Sequence, residues 1–512
     1  MGKPKILKKG YTDRVTRLEF SDRHYRGAQF DTDMYYVGIA NRILQIMKSA
    51  LGGYPRLTPS LLRELSVTLA LYLEDLVSGT GIWEAFLSLC RKKYGKEIPF
   101  YDTGDGSFSS EFPSLQAVRF LLWYTLNNRN TDTMLNPRNP ALEALAMRLL
   151  PILGEAYDNA PDTPGRPEIV SEERRGVPVF YQVRDICHWL CSACYLTAAQ
   201  DLFAISDEAL DFFEELFKGA EPSQIAYAAN AYIPFNLRVG PLGITPQEWL
   251  AEIVSLYPEK GEIPFLKSLT ELKSLPYRTY RFDKIEGATA TLTDTDGNSY
   301  QLSAFTLPGE KFAEGVTEGS SALCSLVYFD GVWNINGMAL QTLPPDFYNE
   351  SKETSDKIRE EESRKYCDLM KKLDNKPLGA AADFDELRSV LELPEKDAAD
   401  IPSDILNGKD ILFFVNPDSN ISLLANYADS VKFPGNKLYN KEIAATDGLA
   451  LVFDPDLTSK EMRDYILSNN LIPDAALRSA VSPQEGHRLF QDNLPFFADY
   501  ALRDSYAHPF FC

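Results

Sequence analysis

The periodicity of the sequence changes at Pro276, and this change constrains the fold more than any other feature. Before it, apolar residues recur every three or four positions, as in Leu61–Val77, which is the spacing of an amphipathic helix. After it, short segments are rich in β-branched or alternating residues, and Asp296-Gly297-Asn298 and Asp330-Gly331 supply tight-turn signals between them. The sequence therefore predicts a helical part that is followed by a β module.

Five segments of this module are predicted to be strands: Tyr277–Glu286, Ala288–Thr293, Ser299–Ser303, Ala322–Phe329 and Val332–Leu340. Strands this short are stable when the sheet closes on itself and leaves no free edge. We therefore expect a small antiparallel, barrel-like module. Beyond Pro344, apolar segments alternate with helical ones, for example a strand at Ile411–Val415 and a helix at Ser419–Val431.

The chain has 512 residues, and a single hydrophobic core rarely grows beyond ~250–300 residues. We predict a mostly α-helical domain at residues 1–275, with a linker-like loop at 159–178 that contains four prolines. The β module takes residues 276–343, and a charged helix followed by a small α/β domain takes residues 344–512. The predicted fold class is multidomain α+β: a mostly helical N-terminal part, a small antiparallel β-barrel-like module and a small C-terminal α/β domain.

The net charge of −21 argues against binding to nucleic acid or to an anionic membrane, because both partners are themselves negatively charged. One segment departs from this balance. Residues 1–26 carry eight basic and three acidic side chains, a net charge of +5. They form either an anion-binding or partner-binding arm or a solvated terminus, and the second interpretation is favoured because chain ends are commonly loose.

The cysteine content favours a reducing compartment. Seven cysteines are spread thinly over the chain, and an odd number cannot all pair. The first residues are basic but no apolar stretch follows them, so no signal peptide is predicted. The longest apolar stretch, Leu65–Leu73, is much shorter than the ~20 residues that span a bilayer. We expect a cytoplasmic protein without a membrane partner.

The segment Cys187–Cys194 contains three cysteines and a histidine, which suggests an iron–sulfur or zinc site. On a helix, however, Cys187, Cys191 and Cys194 share the apolar stripe, where thiols act as small hydrophobic side chains. We predict buried thiols, no metal and no cofactor. The chain also lacks the Gly-x-Ser-x-Gly, Gly-x-x-x-x-Gly-Lys and His-Glu-x-x-His motifs, so no catalytic residue is predicted.

The adjacent acids Glu74 and Asp75 are the first candidates for a ligand site, with Trp83, Tyr94 and Tyr101 as aromatic neighbours in sequence. Carboxylates beside rings bind cationic or sugar-like ligands. The alternative is structural, since neighbouring residues on a helix point about 100° apart. One acid would then be solvated while the other caps a neighbouring helix, and this interpretation is favoured.

The same region carries a resemblance to a known family. Tyr72–Gly79, Gly81–Phe86, Tyr94–Tyr101 and Leu121–Trp123, with Asn469–Ala475 near the other end, resemble a large bacterial family that is catalogued only as a domain of unknown function. The resemblance covers most of the chain. It implies no activity and no catalytic residue.

Two functions from different classes remain open. The first is a non-enzymatic binding or interaction protein, whose partner is another protein or an unidentified small molecule. The alternative is a hydrolase-like enzyme whose acids converge only in space, with Glu74 or Asp75 as acid or base.

Overall fold

The structure is a computed structural model of the chain. It describes residues 14–51, 57–101, 112–128, 135–162, 178–392, 401–418, 420–447, 451, 457–471 and 488–506. The basic residues at positions 3–9 and most of the predicted loop at 159–178 lie outside these ranges. The fold is mixed α+β, with a helical N-terminal half and sheets in the C-terminal half, so the predicted fold class is confirmed at this level.

The N-terminal half consists of packed helices, several of which begin at a side-chain cap. Thr58 accepts a hydrogen bond from Leu61 N–H before Pro59, and Asn139 accepts one from Ala141 N–H. The helices are α1 (Arg17–Ser21), α2 (Asp33–Leu51), α3 (Pro59–Ser78), α4 (Ile82–Tyr94), α5 (Leu115–Asn128), α6 (Pro140–Asp158), α7 (Val179–Ser192), α8 (Leu202–Leu216), α9 (Pro222–Asn236), α10 (Pro246–Ser255) and α11 (Pro264–Thr270).

The β module contains the strands β1 (Lys273–Glu286), β2 (Thr289–Asp294), β3 (Ser299–Ser303), β4 (Ser321–Phe329) and β5 (Val332–Leu343). They form a closed barrel in the order β1-β2-β3-β5-β4. The β3–β5 pairing is parallel and the other pairings are antiparallel, so the expectation of a purely antiparallel module is wrong at the point of closure. Alternate residues such as Tyr280, Phe282 and Leu292 fill a core that belongs to the barrel.

The C-terminal part begins with the charged helix α12 (Pro345–Lys372). It continues with β6 (Leu378–Asp383), α13 (Phe384–Leu391), α14 (Ser403–Leu406), β7 (Lys409–Val415), β8 (Ile421–Leu424), α15 (Lys441–Asp447), α16 (Lys460–Ser468) and α17 (Leu494–Tyr500).

The sheet of this part is antiparallel, in the order β6-β7-β8. The helix expected at Ser419–Val431 is wrong. Ile421 pairs with Val415 and Leu424 with Leu412, so this short apolar run is a strand because an open edge of β7 lies beside it.

The last helix, α17, packs into the N-terminal half. The rings of Phe496 and Phe497 lie 5.1 and 5.3 Å from the ring of Phe100, and Tyr500 lies 5.4 Å from Trp123. A continuous hydrophobic core therefore contains residues from both ends of the chain.

No single helix among the described residues is both long enough and apolar enough to cross a membrane. Helices α3 and α4 reach the required length and apolarity only together, and the pair is bent by 89°.

Candidate functional site

An open cleft lies between the turn that follows α1 and one face of α7. Its volume is about 300 Å³, at the lower end of the range for small-ligand sites. It is lined by Asp22, His24, Arg26, Gly27, Asp185, His188, Trp189, Ser192 and Ala193. We call it the His24–His188 cleft. His487 and His508 lie outside the described residues, so both of the described histidines line this cleft.

The two walls of the cleft are held together by Trp189. Its indole N–H donates a 2.9 Å hydrogen bond to the carbonyl of Arg23, and its ring meets the edge of Tyr25. At the rim, the guanidinium of Arg26 lies 3.9 Å from the carboxylate of Asp185. Arg26 has a φ of 61°, a left-handed conformation that is uncommon outside glycine, and both Arg26 and Asp185 line the cleft.

His24 forms the inner end of the cleft and is almost completely buried. Its Nδ1 lies 2.8 Å from the carbonyl oxygen of Ala28, and its Nε2 lies 2.8 Å from Oε2 of Glu74 on α3. Asp33, at the start of α2, places Oδ1 3.9 Å from Nδ1 of the same ring, and its Oδ2 accepts from Nε of Arg17. The turn after α1, the start of α2 and helix α3 thus bring one imidazole and two carboxylates together.

Opposing effects set the pKa values of the two histidines. Burial lowers the pKa of His24. The hydrogen bond and negative charge of Glu74, the hydrogen bond to the carbonyl of Ala28 and the charge of Asp33 raise it by more, so the pKa lies above its usual value. The pKa of His188 is lowered because the surrounding protein desolvates its ring, although Asp185 opposes this effect. The cleft therefore offers one imidazole that favours its charged form and one that favours its neutral form.

Asp75 serves a different purpose from Glu74, although both are buried. Its Oδ1 accepts from the backbone N–H of Gly81 and Ile82, and its Oδ2 accepts from Trp83 N–H and from the hydroxyl of Tyr195. Burial raises the pKa of Asp75 to about 6, and these hydrogen bonds oppose the rise. Asp75 therefore satisfies the free backbone donors at the start of α4.

Trp83 and Tyr101 lie in the core, and half-buried Tyr94 packs against it. Trp83 is fully buried against Tyr72. The hydroxyl of Tyr94 donates to the carboxylate of Asp499, and that of Tyr101 donates to the carbonyl of Pro137. Asp75 and Trp83 are in contact, whereas the bonds of Tyr94 and Tyr101 lead to other parts of the fold. A ligand-binding role for this set stays a prediction.

The chain matches the sequence model of one protein family over most of its length. The sequence model of the family described as "Protein of unknown function (DUF3843)" matches residues 20–264 and 328–503. The chain belongs to this family. The resemblance found in the sequence is thereby confirmed for most of the chain. Neither the curated proteins nor the solved structures contain a match.

The cleft lies within the part of the chain that matches the DUF3843 model, whereas most of the barrel lies outside it. Every residue that lines the His24–His188 cleft, together with Asp33 and Glu74, falls in the first matched segment. The interval between the two matched segments, residues 265–327, contains β1, β2, β3 and most of β4. The site is thus part of the region that defines the family, and the barrel largely lies outside it.

The thiols predicted to be buried are fully buried: Cys187, Cys191 and Cys194 each have no exposed surface. Burial raises the pKa of Cys187, as expected for a thiol among apolar side chains. His188, on the same helix, is exposed and points to the cleft.

Sequence reasoning missed His24 and Asp33. Their partner Glu74 was singled out, but it lies 50 residues from His24, and only the packing of α1, α2 and α3 brings them together. One signal was present in the sequence: four histidines in 512 residues make each of them a candidate.

Proposed function

We propose that the protein is a non-enzymatic binding protein whose His24–His188 cleft takes a small amphoteric molecule, one with both a carboxylate and an amino group. The cleft itself carries this proposal, because it is open, of small-ligand size and lined by side chains of both charges.

The charges at the rim give the ligand its chemistry. Arg26 is exposed and presents a guanidinium that suits a carboxylate, while exposed Asp22 suits an ammonium group. Ser192 and His188 add neutral hydrogen-bonding groups on the opposite wall. The guanidinium of Arg26 already lies 3.9 Å from Asp185, so a ligand carboxylate would share it with Asp185, while the ammonium group of the same ligand would neutralise Asp22.

A thermal-shift panel of free amino acids and dipeptides tests the proposal, with calorimetry for any compound that raises Tm. We expect at least one compound to bind wild-type protein and to lose about tenfold or more in affinity in Arg26→Gln and Asp22→Asn, since a charge-assisted bond contributes about 1.5–3 kcal/mol. Glu84→Gln, on the exposed side of α4, is the matched control. A panel without binders, or equal binding by both rim variants, would contradict the proposal.

One observation supports the enzyme alternative. Glu74 and Asp33 converge on His24 next to an open cleft, which is an arrangement of acids that only the tertiary structure creates. Asp75 supports it less, because its carboxylate already accepts four hydrogen bonds. Hydrolysis of chromogenic ester or phosphate substrates that is lost in Glu74→Gln and kept in His188→Gln would favour the enzyme over the binding protein.

The proposal also includes a cytoplasmic location and a protein as the macromolecular partner. A cytoplasmic location is supported by the six cysteines in the described part of the chain, all of which are free. A protein partner, and no nucleic acid or membrane, is the expectation that the net charge of −21 supports.

A further inference from the structure

The group of His24, Asp33 and Glu74 has the geometry of a cation site. One donor atom from each of the three lies within 4.8 Å of the other two, and all three residues are buried. Donors bound to one transition-metal ion, with bonds of about 2.0–2.2 Å, are separated by nearly this distance or less. Glu74 already faces Nε2 of His24 at 2.8 Å, whereas Oδ1 of Asp33 lies 3.9 Å from Nδ1 and must turn toward Nε2 for all three to bind one ion.

Two carboxylate oxygens of this group have no other use. Oδ1 of Asp33 and Oε1 of Glu74 are buried and have no hydrogen-bond partner among the described residues. The side chain of Asp33 has no exposed surface and that of Glu74 is 9% exposed. Buried polar atoms are nearly always satisfied, so these two carboxylate oxygens are free to accept a bound partner such as a cation.

The Nδ1 atom of His24 is hydrogen-bonded to a backbone carbonyl, as is common for histidines that bind a metal through Nε2. Nδ1 lies 2.8 Å from the carbonyl of Ala28, and a proton on Nδ1 leaves the lone pair of Nε2 directed at Glu74. Metal-binding histidines usually donate their other ring N–H to a carbonyl or carboxylate, which fixes the tautomer. Arg17 holds the far oxygen of Asp33 in the same way and leaves Oδ1 for the ion.

A proton is the competing occupant of the space between His24 and Glu74. A doubly protonated ring explains the 2.8 Å contact, but it supplies no partner for Oδ1 of Asp33 or Oε1 of Glu74. A divalent cation takes an oxygen from each carboxylate and a nitrogen from the ring. One neutral nitrogen and two carboxylates suit Mn²⁺, Fe²⁺ or Zn²⁺ better than Mg²⁺ or Ca²⁺, which prefer oxygen ligands only.

We propose that His24, Asp33 and Glu74 bind one divalent transition-metal cation at the inner end of the His24–His188 cleft. His24 is the member of the group that lines the cleft, and its ring connects the buried carboxylates to the side from which an ion would enter. This departs from the expectation of no metal, and it does not rest on the amphoteric ligand.

The test is a titration of chelator-treated full-length protein with Mn²⁺, with free Mn²⁺ measured by its electron paramagnetic resonance signal. Mn²⁺ is chosen because thiolates such as that of the exposed Cys367 bind it weakly. We expect one Mn²⁺ per chain, displaced by Zn²⁺ as the relative affinities of the two metals require. Glu74→Gln and Asp33→Asn should each weaken binding by at least about tenfold.

Glu84→Gln is the matched control, because it removes an exposed carboxylate outside the cleft and leaves the three ligands in place. It should bind Mn²⁺ as the wild type does. Thermal denaturation adds a readout that needs no variant, since a cation that binds the folded state raises Tm. Absence of Mn²⁺ binding by folded wild-type protein, or unchanged binding in both ligand variants, overturns the proposal.

Discussion

The hydroxyl of Tyr94 donates a 2.6 Å hydrogen bond to the carboxylate of Asp499, which lies 405 residues further along the chain. Lys93 contacts the same carboxylate at 2.8 Å. These contacts join α4 to α17, and the rings of α17 complete the core of the N-terminal half. The stability of the helical part therefore depends on the far end of the chain, and this can be measured.

The contact between Gly243 and Asp499 gives the first prediction. Gly243 has a φ of 53°, and a Cβ at this position would overlap with the carbonyl oxygen of Asp499. We expect Gly243→Ala to lower the free energy of unfolding by about 2–4 kcal/mol, because overpacking and a strained backbone add. Urea denaturation measures the change. Gly154→Ala, in α6 with open space around it, is the control and should be neutral or stabilise by up to about 1 kcal/mol.

Asp75 carries the second prediction. Asp75→Ala removes the acceptor of three backbone N–H groups and of the Tyr195 hydroxyl, all at the buried start of α4. We expect a loss of about 2–4 kcal/mol in the free energy of unfolding, because buried donors then lack partners. Glu84→Gln, which is exposed in the same helix, should change it by less than about 0.5 kcal/mol. A fully stable Asp75→Ala variant would show that this carboxylate is free for another role.

Thiol reactivity is the third prediction. Cys367 is exposed on α12, whereas Cys90, Cys187, Cys191, Cys194 and Cys324 are buried. Burial raises the pKa of these five thiols and removes them from solvent. Iodoacetamide applied to the native protein should therefore label Cys367 and spare the five, as read by peptide mass spectrometry. Labelling of Cys187 or Cys191 before unfolding would show that α7 opens in the native state.

The basic arm gives the fourth prediction. Arg17 contacts Asp33 and the carbonyl of Arg23 accepts from Trp189, so both residues belong to the fold and the truncation ends before them, at residue 13. We expect no appreciable binding of a labelled DNA duplex at physiological salt, either with or without residues 1–13, because the net charge is −21. Salt-sensitive binding that disappears on truncation would identify the arm as an anion-binding segment.

Much of the fold is encoded locally and was read from the sequence. The change of period at Pro276 lies three residues after the start of β1 at Lys273. The two periodicities of 3.6 and 2 reflect where each backbone places its side chains. All five predicted strands of the module are present, and turns such as Asp330-Gly331 fall between them. The thiols of α7 were placed in the core for the same reason.

Tertiary structure decided the remaining features, since they depend on residues that are distant in sequence. The parallel β3–β5 pairing that closes the barrel is not visible in either strand alone. Ile421–Leu424 is a strand because the edge of β7 offers hydrogen bonds, although the run by itself suits a helix. In the sequence, Glu74 and Asp75 are equal candidates for a ligand site. In the fold, Asp75 accepts hydrogen bonds from the start of α4, whereas Glu74 contacts His24. The buried cluster of charges forms where several segments of the chain pack together. The periodicity of a single segment does not predict which other segment packs against it.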